Sequence, residues 1–417
     1  MDIKSKNENE LNNENELNTN IFSESTLNLE TFEEWSELPI PENLLRGIYA
    51  YGFEKPSSIQ KKSILSIING RDILAQASSG TGKTGSFVIG ALSKINTKLN
   101  ELQVLIVSPT RELTKQIFNV IEGISSIMPE LKKYFLVGGT SIENDIKYFN
   151  HNTPHILVAC PGRLYDFFQR KYVNLNTVKL IIMDETDEML SFGFKDQMYD
   201  IFKEFKDSVQ VALFSATYSP YNSKIIETIL KNPIKIIVKS EELTLEGISQ
   251  YYIAVENDKQ KYLVIKDLFE SISLSQTIIF CNSVERVVEL HKALKEDEFP
   301  VCCVHSNLEK REREEAFSEF KHGKYRVLVS SNITARGIDL QQISVVINFD
   351  LPKCKHTFLH RIGRTSRYGR KGMAINLITK KDIPKIKEFE EYYSTEIKEL
   401  PQGFEKNIQH YTDRKEK

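Results

Sequence analysis

No apolar run among these 417 residues approaches the length of a bilayer span, and the N-terminal residues lack the apolar stretch of a secretion signal. A protein outside the membrane is expected. Cysteine is scarce: Cys160, Cys281, Cys302, Cys303 and Cys354 make an odd number, with no Cys-x-x-Cys spacing and no histidine pairing of metal-ligand type. Reduced thiols are therefore expected, in a cytoplasmic protein or, as the alternative, a nuclear one. The adjacent Cys302-Cys303 pair reads better as strand residues than as a metal fragment. A dominant charge sign is lacking too: 55 Lys plus Arg stand against 57 Asp plus Glu, a formal net charge of −2. Proteins that coat duplex nucleic acid are usually strongly basic, so nucleic-acid binding here has to use local patches.

Residues 1–20 hold seven Asn and five acids against two lysines. Little there can build a core, and residues 1–30 read as a disordered, acidic, Asn-rich tail. From about residue 31 apolar runs at 73–75, 104–107, 156–159, 180–183 and 211–214 alternate with helical stretches. A polar stretch at 239–247 interrupts the pattern, which restarts with runs at 251–255, 277–281, 301–304, 326–329, 345–349 and 374–378. This alternation reads as α/β structure, mostly parallel sheets covered by helices on both faces. Two units of similar size follow, 31–238 and 248–403, with 239–247 as linker and 404–417 as a polar tail.

The most informative stretch is Ala77-Ser78-Ser79-Gly80-Thr81-Gly82-Lys83-Thr84. It follows the apolar run Ile73-Leu74-Ala75 and precedes Val88, Ala91, Leu92 and Ile95, spaced as one face of a helix. Strand, glycine loop and helix in that order make a phosphate-binding loop. Small residues and glycines let backbone N–H groups turn toward phosphates, and the helix N-terminus adds partial positive charge. Lys83 is placed for the β- and γ-phosphates and Thr84 for Mg²⁺. Ala77 stands where the strict pattern has its first Gly. The later unit has no such loop.

Leu180-Ile181-Ile182-Met183 runs into Asp184-Glu185-Thr186-Asp187. Ligands in open α/β sheets bind beyond the carboxyl ends of strands, where these acids fall. Asp184 is the candidate Mg²⁺ holder and Glu185 the candidate for polarising an attacking water.

Further motifs appear in order. They are Phe53 through Gln60 with Pro56 between them, Pro109-Thr110-Arg111-Glu112-Leu113, Gly138-Gly139, Cys160-Pro161-Gly162-Arg163, Ser215-Ala216-Thr217, Ala335-Arg336-Gly337-Ile338-Asp339 and His360-Arg361-Ile362-Gly363-Arg364. With the phosphate loop and the acidic tetrad, they make the chain resemble the DEAD-box RNA helicases from about residue 32 to about residue 401. Within that family it is most similar to the branch acting in translation initiation, also outside the motifs, at 44–60, 193–202 and 241–247.

The resemblance implies two tandem RecA-like domains and an RNA-stimulated ATPase that separates short duplexes on messenger RNA. Gln60 is implied to read the adenine edge and Phe53 to stack on the base, which selects ATP. Asp339 is implied to hold the ribose. Arg364 and Arg367 are implied to act as arginine fingers on the γ-phosphate, catalytic together with Lys83, Asp184 and Glu185. Asp187, Ser215, Thr217 and His360 are implied to couple the γ-phosphate to domain closure. Thr110, Arg111, Gly139, Gly162 and Arg163 in the first unit, and Phe280, Asn282, Arg313 and Ser331 in the second, are implied to contact the RNA backbone without reading sequence. A monomer is expected, partnered by a helical-repeat scaffold of the cap-binding complex. An ATP-gated clamp resembling the exon-junction or ribosomal-RNA-processing paralogue is the alternative.

The chain departs from the family pattern at Thr186 (usually Ala), Cys160 (usually Thr), Ser306-Asn307, Lys310, Ser330-Ser331-Asn332 and Ser366 (usually Gly). A buried Thr186 hydroxyl needs a hydrogen-bond partner. The changes gather in the second unit, and a working but slow ATPase is expected.

Overall fold

The computed structural model describes residues 30–77, 81–191, 194–215, 220–237, 248–271, 276–332, 343–365, 372–393 and 395–401. The linker at 239–247, the tail 404–417 and all but the last residue of the tail 1–30 lie outside these, as do Ser78, Ser79, Gly80, Thr217, Asp339, Ser366 and Arg367. The chain divides into two compact units, Met1–Lys239 and Ser240–Lys417.

The first unit is built on β1 (Ile73–Gln76), β2 (Val104–Val107), β3 (Lys133–Leu136), β4 (Ile156–Ala159), β5 (Leu180–Asp184), β6 (Gln210–Ser215) and β7 (Ile234–Ile237). They form one parallel sheet in the order β3-β4-β2-β5-β6-β1-β7. Alternate residues enter separate cores. Ile73, Val104, Ile106, Ile156, Leu180, Ile182 and Phe214 pack into one, and Leu74, Leu105, Val107, Leu157, Ile181, Met183 and Leu213 into the other. Side chains alternate across a strand, so a sheet covered on both faces needs an unbroken apolar run, which is what the sequence shows.

The edge strands β3 and β7 carry no such run. β3 reads Lys-Tyr-Phe-Leu with its first three residues half-buried, and its pattern is that of a partly solvated edge. The helix after the phosphate loop spans Lys83–Ser93 and ends before Ile95. It is buried from Gly85 to Leu92, so the one-sided pattern expected of it is replaced by a helix covered all round. Gly90 makes this possible: a Cβ there would lie 2.7 Å from Ile67 on the helix Ser58–Ile68.

The second unit repeats the design with β8 (Ile248–Ala254), β9 (Thr277–Phe280), β10 (Val301–Val304), β11 (Val327–Ser330), β12 (Val345–Asn348), β13 (Gly372–Ile378) and β14 (Lys398–Glu399). Its parallel order is β10-β11-β9-β12-β13-β8-β14. Cys302 and Cys303 are successive residues of β10 and pack against opposite cores, so they share no ligand position. All five cysteines are free thiols.

His155, buried just before β4, accepts a hydrogen bond at Nδ1 from the Lys132 N–H (3.1 Å). Burial first, and then the Lys132 charge, hold its imidazole below the ordinary value of 6.5. The unfolded chain takes up the proton first as pH falls. This contribution to stability is therefore present above the ordinary value and lost as pH drops through it. Urea unfolding is expected to show a lower midpoint at about pH 5.5 than at about pH 7.5, by a margin that shrinks in His155→Gln. An undiminished pH dependence in that variant would exclude His155 as its source.

Candidate active site

β1 delivers the chain into the phosphate loop, and the loop is fastened at both ends. Ala77 N–H donates to the Ser215 carbonyl at the end of β6 (3.1 Å). At the far end Gly82 has φ +99°, a left-handed conformation. A Cβ at Gly82 would lie 2.8 Å from Ser57 Oγ and 3.0 Å from Gln60 Nε2, so glycine is required by both backbone and space. Lys83 follows as the first helical residue and Thr84 as the second, half-buried. Lys83 is only 7 % exposed, and its Nζ makes no hydrogen bond with any described residue. A buried ammonium without a hydrogen bond is costly. A polyphosphate is the chemistry that relieves it, so the residues present fit a nucleoside triphosphate.

Gln60 is wired into this loop. Its Oε1 accepts from Ser57 N–H (2.7 Å), its Nε2 donates to the Gly82 carbonyl (3.3 Å), and Ser57 Oγ donates to the Thr81 carbonyl (2.7 Å). An amide has two lone pairs and two hydrogens, so Gln60 keeps one of each for a base edge. The Phe53 ring sits beside it, 3.0 Å from where a Gly85 Cβ would stand, and stacks on Trp35 with centroids 6.1 Å apart. The Ser57–Gln60 pair is legible in the sequence as capping-box spacing, a signal the motif reading passed over.

Two strands away β5 ends in Asp184, and Glu185, Thr186 and Asp187 follow, all buried. Asp184 Oδ1 accepts from Glu185 N–H (3.0 Å). Burial, above all, and then the Glu185 carboxylate push Asp184 up to about 7, against the opposing pull of Lys83. A buried carboxyl that resists ionisation by itself, with two more buried acids within three residues, is a fitting donor set for a divalent cation. The Thr186 hydroxyl finds partners in the Met183 carbonyl (3.2 Å) and the Phe214 carbonyl (3.1 Å). Asp187 N–H donates to Ser215 Oγ (3.4 Å).

The other first-unit residues surround a ridge of loops. Thr110 caps the helix Arg111–Ile124, its hydroxyl accepting from Leu113 N–H (3.3 Å). The Arg111 guanidinium lies against Gly138 and Gly139, and a Cβ on Gly139 would come within 2.2 Å of it. Gly162 is exposed in the first turn of the helix Pro161–Gln169. Arg163 is committed inward: it pairs with buried Asp145 and donates to the Thr140 carbonyl (3.1 Å). Tyr134 OH also donates to Asp145 (2.8 Å). Arg163 thus shapes the loop after Gly139. Cys160 keeps a hydrogen bond with Thr114 Oγ1 (3.1 Å), and burial pushes its thiol up to about 11.

In the second unit the helix Lys355–Ile362 carries His360 and leads to Arg364, whose Nε donates to the His360 carbonyl (3.2 Å). Arg361, fully buried, donates to Asn332 Oδ1 (2.9 Å), Asn348 Oδ1 (3.1 Å), Asn282 Oδ1 (2.8 Å) and the Asp350 carbonyl (2.7 Å). It lies 5.1 Å from the centroid of the Phe280 ring. The motif reading assigned Arg361 no role. Phe280 needs a correction: its ring is fully buried in the core, so no RNA contact comes from its side chain. Asn282 Nδ2 donates to the Leu351 carbonyl (2.9 Å). Arg313 is buried on the helix Lys310–Lys321, and Ser331 is half-buried after β11.

With its pKa raised to about 7, Asp184 becomes a neutral, poor ligand below that pH. Mg²⁺-dependent binding of a fluorescent ATP analogue is expected to weaken as pH falls, by about tenfold per unit below that value. Asp184→Asn is expected to bind weakly at every pH. A wild-type affinity that stays flat from about pH 8 to about pH 6 would refute this role for Asp184.

The DEAD/DEAH box helicase family matches residues 57–225, and the helicase conserved C-terminal domain matches residues 260–369. The ATP-dependent RNA helicase eIF4A of Kluyveromyces lactis is 47% identical over 88% of this chain and 92% of its own length. The ATP-dependent RNA helicase FAL1 of Mycosarcoma maydis is 43% identical, over 91% of this chain and 95% of its own. Among solved structures, Saccharomyces cerevisiae Dbp5 bound to RNA and ADP BeF3 has a TM-score of 0.84 at 29% identity, covering 91% of this chain and 98% of that one. The DEAD-box helicase Mss116 bound to ssRNA and UDP-BeF has a TM-score of 0.78 at 26% identity, over 90% and 81% of the two chains. Phosphate loop, buried acids and both halves of the motif series agree with these likenesses, and the chain belongs to the DEAD-box family of ATP-dependent RNA helicases.

Proposed function

We propose that this protein uses RNA-stimulated ATP hydrolysis to separate short duplexes in messenger RNA during translation initiation. The observation that carries the chemistry is the buried Lys83 ammonium at the start of the helix Lys83–Ser93, without a hydrogen bond among the described residues and opposed by the buried acids after β5. The likeness to proteins called eIF4A supports the biological setting.

In this reading Lys83 Nζ and the N–H groups opening its helix hold the β- and γ-phosphates. Gln60 selects adenine with its spare lone pair and hydrogen, and Phe53 covers the base. Thr84 and Asp184 hold Mg²⁺, which when bound neutralises charge on the phosphate oxygens. Glu185 takes a proton from the attacking water as its oxygen bonds to the γ-phosphorus and the bond from that phosphorus to the β–γ bridging oxygen breaks, with ADP as the leaving group. Arg364 and Arg367 serve as the arginine fingers, and Asp339 holds the ribose. Thr110, Arg111, Gly139 and Gly162 grip one RNA strand by its backbone, with Arg163 shaping the same surface from behind. Asn282, Arg313 and Ser331 serve the second unit. A strand held bent by such contacts leaves an A-form helix, and a few base pairs separate. RNA and ATP raise each other's affinity by the same factor. The partner is a helical-repeat scaffold of the cap-binding complex, and the setting is the cytoplasm.

Phosphate release by the purified chain with single-stranded RNA tests this. RNA is expected to stimulate turnover, and Lys83→Ala to abolish it. Arg364→Ala is expected to lower kcat by on the order of 10³ while sparing nucleotide binding. Gln60→Ala is expected to raise the KM for ATP and erase its preference over GTP. Wild-type turnover no higher than that of Lys83→Ala would reject the enzyme reading. Capture of splicing-complex proteins in place of a cap-binding scaffold would reject the initiation setting.

A further inference from the structure

Four non-glycine residues among those described have positive φ: Lys171, Glu185, Asn232 and Glu298. Three of them are exposed in turns; Glu185, at φ +52°, is buried. A buried glutamate in the left-handed region persists only where its surroundings over-determine it. Its own backbone supplies part of the restraint. Its N–H donates to Asp184 Oδ1 (3.0 Å), and its carbonyl accepts from Glu188 N–H (3.0 Å) and Met189 N–H (3.3 Å). These bonds join Glu185 to its own segment, which Asp187 N–H ties to β6 through Ser215 Oγ (3.4 Å).

The residue between them adds a second tie to β6. Thr186 is fully buried, and its single hydroxyl hydrogen is shared between two carbonyls at nearly equal range: Met183 O at 3.2 Å and Phe214 O at 3.1 Å. The first contact closes a ring around Asp184 and Glu185. The second crosses to β6, at the residue in register with Asp184. β6 is also where the phosphate loop is tied, through Ala77 N–H to Ser215 O (3.1 Å). One strand end therefore carries both the phosphate cradle and the acids. Alanine, the usual residue here in related helicases, has no group that can make either contact.

We propose that Thr186 is a positioning residue for Glu185: its shared hydroxyl holds the strained turn and fixes the carboxylate relative to the phosphate loop. This rests on the ATPase reading for its effect on rate, and on the fold alone for its effect on backbone conformation.

The test compares Thr186→Val, which keeps the shape and loses the hydroxyl, with Thr186→Ser, which keeps the hydroxyl and loses the methyl. RNA-stimulated kcat per folded molecule is expected to fall about fivefold in Thr186→Val, the size of one lost hydrogen bond, with the KM for ATP unchanged within about twofold. Thr186→Ser is expected to keep wild-type kcat. Crystal structures of both variants are expected to show Glu185 at positive φ in the serine variant and displaced in the valine variant. Equal loss in both variants, or wild-type kcat in the valine variant with Glu185 still at positive φ, would overturn the proposal. A wild-type protein without turnover would reject the ATPase reading, and the conformation of Glu185 in the two crystals would still decide the role of Thr186.

Discussion

Lys83, Asp184, Glu185 and Asp187 are four ionisable side chains buried beyond the ends of β1 and β5. Withdrawing charge from water is among the most expensive things a fold can do, and these groups do not satisfy one another fully: Lys83 Nζ has no hydrogen bond among the described residues, and Asp184 is driven toward its neutral form. The cost is met by the surrounding hydrophobic sheet, and a polyphosphate is the chemistry that relieves it. That imbalance makes the first unit a receptor for its substrate.

The imbalance requires rigid walls, and two short networks supply them. Ser57 and Gln60 clamp the far end of the phosphate loop through the carbonyls of Thr81 and Gly82. Ser215 receives Ala77 N–H at its carbonyl and Asp187 N–H at its hydroxyl, so β6 joins the loop to the acids. Around Arg361 the second unit handles a buried charge in another way. Burial pushes its guanidinium down to about 10, and its acceptors are amide and carbonyl oxygens from Asn282, Asn332, Asn348 and Asp350. Neutral acceptors satisfy its geometry and leave the positive charge in place. Asn332, one of the departures from the family pattern, is thereby integrated into the hub around Arg361.

The interior strands were legible because both faces of each sheet are buried, and a strand buried on both faces must be apolar throughout. β3, β7 and β14 were not, because an edge strand meets solvent and its residues can be mixed. The helix Lys83–Ser93 illustrates the same boundary. Its apolar spacing suggested a single buried face, yet Gly90 lets the helix Ser58–Ile68 cover a second side, a packing fact that periodicity does not carry. At the site, Gly82 and Lys83 were readable because a phosphate loop is a local structure with a local pattern. The directions of the Arg163 and Phe280 side chains were not legible, because a motif says nothing about which way a side chain turns. One turns inward to Asp145, and the other fills a core beneath Arg361.

The residues by themselves determined the two α/β units, the phosphate loop, the acids after β5 and the family. Each of these depends on chain-local order: strand before loop before helix, or an apolar run before a carboxylate. Only the tertiary structure decided how the acids are held. The Thr186 hydroxyl between Met183 and Phe214 and the double tie at Ser215 join β5 or β1 to β6, segments tens of residues apart in the chain. Such contacts are set by which strands become neighbours in the sheet, and no spacing along a single segment encodes that.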